Sequence, residues 1–151
     1  KDRRPLLDFG KAYPLIFYRG LEEEINYCYT FNLPNATLVL SRKLVENLLY
    51  NLLEYKFPKE VGLRYKIDQR RANNFSVLLQ NLEMRILDFN EEQQELIKKL
   101  LERIKPFRRE ANSTTHKVLE YIADADDLAV LKIGEIVQIE LELIRKVKEE
   151  K

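Results

Sequence analysis

Proton transfer at neutral pH needs a group that titrates there, and this chain holds one histidine, His116. It closes the stretch Arg108-Arg109-Glu110-Ala111-Asn112-Ser113-Thr114-Thr115-His116. Two guanidinium groups and a side-chain amide thus stand one or two helical turns ahead of the imidazole. At about 100° per residue, seven steps along a helix return to within roughly 20° of the same direction. Arg109, Asn112 and His116 can therefore share a face, with Arg108 further round. Histidine can take or give a proton. Arginine offers a fixed fork of donors to a phosphate or to a pentavalent phosphorane. Asparagine can orient a ring nitrogen or hold a phosphate oxygen. Together these are the parts for metal-independent cleavage of RNA. The ribose 2′-hydroxyl loses its proton and attacks the adjacent phosphorus, leaving a cyclic phosphate. DNA lacks that hydroxyl and would be inert. The plainer reading is a histidine near a helix start, bonded to a neighbour. Arg108 and Arg109 would then pair with Glu102 and Glu110, and Asn112 or Ser113 would cap a helix.

The rest of the chain must position this cluster. Its 151 residues suit one domain that buries roughly two thirds of the unfolded surface. With 45% hydrophobic and 34% charged residues, the composition is that of a soluble, folded chain. Basic residues number 26 and acidic ones 25, so bulk charge does not recruit nucleic acid, and any RNA contact needs a local patch. The single cysteine, Cys28, forbids an internal disulfide and suits the cytoplasm. Nothing reads as a signal peptide or a membrane span. No cofactor or metal motif stands out, and there is no glycine-rich phosphate loop. The chain opens at Lys1 without methionine, as expected of a processed chain or of a domain from a longer protein.

Apolar spacing predicts an all-α antiparallel bundle of about five to six helices. Residues 1–14 carry Pro5, Gly10 and Pro14 and read as a lead-in or linker; residues 15–151 form the bundle. A first helix is expected over Leu15–Phe31, with Leu21, Ile25 and Cys28 on one stripe. The turn Asn32-Leu33-Pro34-Asn35 leads to a second over Ala36–Lys56, with Val45, Leu48, Leu49, Leu52 and Leu53 inward. Phe57–Ala72 reads as loop. A third helix, Phe75–Leu87, can be capped by Asn73 or Asn74. Asn90 and Gln93 resemble a capping box opening a fourth. Pro106 should kink or break that helix. Asp124–Asp127 reads as a turn, with a last helix over Leu128–Lys148. That helix is apolar on more than one face, so it is central or lies at a subunit interface.

Other constellations have plainer explanations. Arg42 and Glu46 read as an intrahelical ion pair. Arg64, Lys66, Arg70 and Arg71 around Tyr65 could face single-stranded RNA, although a solvated loop explains them too. Asp124, Asp126 and Asp127 lack the spacing of a calcium loop and suit capping.

An arginine and a histidine with four to six residues between them, in a helical bundle, resemble the motif of the HEPN superfamily. Arg109 and His116 have six between them. The phrase from Arg108 through Asn112 to His116 is similar to one in uncharacterised prokaryotic HEPN-like domains. So are Leu21–Ile25 and Asn35–Glu46, which resemble the first helix pair of those domains. Ala111 stands where glycine is usual, and Glu110 where the catalytic form has a polar residue, often asparagine. The resemblance spans most of Leu15–Lys148. It implies a symmetric homodimer whose motifs line one cleft. It also implies either an endoribonuclease of toxin–antitoxin or phage-defence systems, or a non-catalytic dimerisation, RNA-binding or partner-binding module of a larger defence or restriction protein. In the first case an antitoxin or other protein partner is expected. His116 would be the general base or acid, Arg109 (or Arg108) would hold the phosphate, and Asn112 would orient one or the other.

Overall fold

Ten apolar or small positions recur along one stretch at helical spacing, and they build the centre of the molecule. The computed structural model describes residues 3–9, 16–116 and 122–150, the side chains of residues 16 and 109–116 excepted. The architecture is an all-α bundle: α1 (Ile16–Thr30), α2 (Pro34–Lys56), α3 (Phe75–Met84), α4 (Glu91–His116) and α5 (Ile133–Glu149), with short 3₁₀ turns between them. Helix α2 packs against all four others. Its Leu38, Leu44, Val45, Leu48, Leu49, Leu52 and Leu53 are fully buried. Each such leucine contributes roughly 1.5–3 kcal/mol of burial free energy.

The chain turns from α1 to α2 through Asn32, whose φ of 58° suits a residue that tolerates the left-handed region. The Leu33 N–H returns to Cys28 O at 2.8 Å, and the Asn32 N–H to Tyr29 O at 3.2 Å. Pro34 stands at the start of α2, where its missing donor costs nothing, so the helix opens two residues earlier than expected. The pair is antiparallel, with Tyr18 near the start of α1 donating to Asn51 late in α2. Helix α5 runs parallel to α2. Lys56 and Glu150 meet at 3.4 Å at one end, and Asn32 Oδ1 accepts from the Ala125 N–H at the other. Helix α4 is antiparallel to α5, held by Lys146–Glu92 and by Arg103–Glu135 at 3.0 Å.

Residues 3–9, read from the sequence as part of a lead-in, lie against this bundle. Leu7 and Phe9 are buried. The Leu7 backbone exchanges two 2.8 Å hydrogen bonds with the Asn26 side chain. Arg3 reaches both Asp124 and Asp126. Gly134 permits close approach here, since a Cβ on it would stand 3.1 Å from Leu6 O.

Several local expectations are corrected. Phe57–Ala72 is not all loop: Tyr65–Lys66 pairs antiparallel with Arg71–Ala72, and Arg70 takes φ 52° in the turn. Two-residue strands are too short to leave a period in the sequence. The last helix does not begin at Leu128. Ala125–Leu131 is a 3₁₀ helix, and Lys132, at φ 51°, separates it from α5. Asp124 caps that 3₁₀ helix by accepting from the Asp126 N–H. Helix α3 ends at Met84 and passes into a 3₁₀ turn, Ile86–Asp88. Of the kink or break expected at Pro106, the break does not occur: α4 runs on to His116. The proline is exposed, so the Glu102 carbonyl it leaves without a helical donor faces the solvent side. The Asn90–Gln93 capping box forms, with reciprocal bonds of 2.8 and 3.1 Å.

Asn74, rather than Asn73, caps α3 by accepting from the Val77 N–H at 3.0 Å. Asn74→Ala is expected to cost about 1 kcal/mol in chemical denaturation. Asn73→Ala is expected to cost more, because Asn73 is buried and its amide holds Gly62 O.

Candidate functional site

The continuity of α4 decides how the polar cluster is presented. Positions 109, 112 and 116 lie on one uninterrupted helix, so their three- and seven-residue spacings place them on one side of it. The side chains of Arg109, Asn112 and His116 lie outside the described residues. Arg108 lies within them. Its guanidinium donates to Ser76 Oγ at the start of α3.

That contact sits in a groove of about 790 Å³ between α3 and α4. Leu79, Leu101 and Ile104 form its apolar floor; Gln80 and the carboxylate of Glu83 stand on the α3 wall, Lys105 and Arg108 on the α4 wall. The arrangement follows from the two helix patterns. Helix α3 turns Leu78 and Leu82 into the core and leaves Ser76, Gln80 and Glu83 outward. Helix α4 buries Ile97, Leu100, Ile104 and Phe107, which leaves Lys105 and Arg108 at the edge of its packed face. The described part of the cluster is therefore a cationic lip on an open groove, the kind of surface a phosphate diester can reach. The pairing expected of Arg108 with Glu102 is not formed. Glu102 lies 3.3 Å from Arg103, and Arg108 turns to Ser76 instead.

The basic segment around Tyr65 does not act as one patch. Arg64 is buried and donates to Phe57 O at 3.2 Å, tying the hairpin to the end of α2. Arg70 and Arg71 remain exposed. The acidic run near Asp124 is occupied by capping and by Arg3. Among the described residues no group of three histidine, cysteine, aspartate or glutamate side chains is placed to hold a metal. Nor is any helix among them long and apolar enough to cross a membrane. Cys28 is half-buried, and burial pushes its thiol up, so it does not offer a reactive thiolate.

Two buried or half-buried carboxyls stand out, one of them, Glu140, outside every motif. Glu140 is fully buried on α5, and among the described residues neither of its carboxyl oxygens has a hydrogen-bond partner. Burial holds this carboxyl well above the usual carboxylate range. Its position between Ile136, Val137 and Ile144 on the apolar stripe was the available signal. The other is Glu46, which burial also pushes up even though Arg42 is near. In comparisons with protein-family models, curated proteins and solved structures, nothing matches this chain.

Proposed function

We propose that this bundle is a HEPN-like, metal-independent endoribonuclease of a toxin or phage-defence system, acting as a homodimer. The observation that carries the reading is the unbroken course of α4 through Pro106 to His116. It keeps positions 109, 112 and 116 on one side of a helix whose preceding residue, Arg108, lines an open groove. In this reading His116 exchanges the proton, Arg109 or Arg108 holds the scissile phosphate, and Asn112 orients the imidazole or the phosphate. The groove between α3 and α4 takes the flanking RNA strand, and a second copy closes the cleft.

A second reading is a non-catalytic dimerisation, RNA-binding or partner-binding module of a larger protein. Two observations favour it: Arg108 is already engaged by Ser76, and Glu110 directly follows Arg109, where its charge opposes phosphate. The Arg108→Ala variant tells the two arginines apart. If Arg109 is the phosphate-binding group, Arg108→Ala lowers cleavage of single-stranded RNA by less than about tenfold, and Arg109→Ala by about a hundredfold or more. Equal losses would make the two arginines joint holders of the phosphate.

A further inference from the structure

On the other side of α3, facing α2, lies a separate groove of about 390 Å³. It shares no lining residue with the groove beside Arg108. One wall is the outward stripe of α2: Arg42, Lys43, Glu46, Asn47 and Tyr50. The opposite wall includes Asn73, after the hairpin, and Leu78 of α3. From Val39 to Tyr50 the stripe is about 16 Å long at 1.5 Å per residue.

The amides here are used by the protein, Asn47 Nδ2 donating to Lys43 O at 2.7 Å and Asn73 Nδ2 to Gly62 O at 3.1 Å, but the charged groups have few partners among the described residues. Arg42 has a side chain only 20% exposed, yet its Nε stands 3.9 Å from Glu46 Oε2, beyond hydrogen-bond reach. Its guanidinium otherwise lies 5.9 Å from the centre of the Phe75 ring. The Lys43 ammonium lies 6.0 Å from the centre of the Phe17 ring, with no carboxylate partner among the described residues. Among the same residues, no hydrogen bond reaches the Glu46 carboxyl or the Tyr50 hydroxyl. Arg3, Arg64, Arg85 and Arg103 behave differently: each covered guanidinium is held by carboxylates or backbone carbonyls. A covered guanidinium with open donors, beside an ammonium that has no carboxylate partner among the described residues, calls for an anion. Two cations against one carboxyl favour a doubly charged anion over a singly charged one. The Glu46 carboxyl, the Tyr50 phenol and the Asn47 Oδ1, whose amide nitrogen is already held by Lys43 O, can exchange hydrogen bonds with hydroxyl groups. The volume suits a small molecule.

We propose that this groove binds the phosphate monoester of a small polyhydroxylated molecule. Arg42 and Lys43 hold the phosphate, and Glu46, Asn47 and Tyr50 meet the hydroxyls. The inference does not depend on whether the chain cleaves RNA. The test is calorimetric titration of the folded chain with ribose 5-phosphate, inorganic phosphate and leucine. Ribose 5-phosphate is expected to bind saturably and about tenfold more tightly than inorganic phosphate. Arg42→Gln and Lys43→Gln should each weaken it by about tenfold. Lys43 is exposed, so its variant tests the site even if Arg42→Gln fails to fold. His116→Ala should leave this binding unchanged. No saturable binding, equal binding of inorganic phosphate, preference for zwitterionic leucine, or indifference to Lys43→Gln would each overturn the proposal.

Discussion

Glu140→Met should raise the stability of the protein at neutral pH by about 1–3 kcal/mol, the usual cost of an unsatisfied buried polar group. Few substitutions of a charged residue type in a helix are expected to stabilise, and this one follows from position. Glu140 is fully buried between Val137 and Ile144 on α5, and neither oxygen has a partner among the described residues. Methionine is unbranched, similar in size and able to fill an irregular space. The pH dependence gives a sharper test. Burial raises the folded carboxyl well above its ordinary value, so the folded chain keeps this proton where the unfolded chain has lost it. Above about pH 4.3, where a free glutamate titrates, the unfolded state binds fewer protons than the folded one. Stability is then lost as pH rises, by up to about 1.4 kcal/mol per pH unit, until the folded carboxyl itself ionises. Glu140→Gln stays neutral throughout and should remove this slope.

The opposite slope comes from Glu60, Glu135 and Glu142. Arg85, Arg103 and Arg145 respectively hold these carboxyls below their ordinary value. Their contribution is present above the unfolded carboxylate range and is lost as pH falls through the lowered values. All three are surface pairs, so their effect is small and screened by salt. Chemical denaturation from about pH 2 to pH 9 measures both limbs. If wild type and Glu140→Gln show parallel pH profiles, the buried carboxyl is not the cause.

The largest expected effect on activity is at His116. In the ribonuclease reading, His116→Ala removes the proton-transfer group and lowers the cleavage rate by about 10²–10⁴-fold. Asn112→Ala should cost less, since an orienting amide acts through its neighbour or through one hydrogen bond to phosphate. Each variant is compared as folded protein, whose described core is built by the apolar stripes of α1, α2, α3, α4 and α5. Circular dichroism and a thermal melt check that. The same RNA with the reactive 2′-hydroxyl replaced by hydrogen should be inert, because the attacking oxygen is then absent.

The elements most legible in the sequence are those with a long apolar period. Leu44, Val45, Leu48, Leu49, Leu52 and Leu53 announce α2, and the structure buries all six. The capping box of Asn90 and Gln93 is read correctly because it needs only four residues and two local bonds. Tertiary context decides the features that were misread. Pro106 is accommodated because it lies on the exposed side of α4. Lys132 adopts a left-handed conformation that few sequence cues favour for lysine, which splits the expected last helix. Arg64 sits among other basic residues in sequence, but in the fold it turns inward to backbone carbonyls. Glu140 was hidden by its residue type, since glutamate at a surface-like composition is read as solvated. Its three- and four-residue spacing to Ile136, Val137 and Ile144 places it inside. The polar cluster itself is legible as a spacing. Of its members only Arg108 has a described side chain, and its contact with Ser76, a residue far away in sequence, has no local signal.

The most direct test of the proposed function is incubation of single-stranded RNA with the purified chain in excess EDTA. The products are resolved on a gel and their ends analysed by mass spectrometry. The ribonuclease reading expects fragments with cyclic phosphate ends, unaffected by the chelator and absent with His116→Ala. RNA that stays intact beside well-folded, dimeric protein would contradict it.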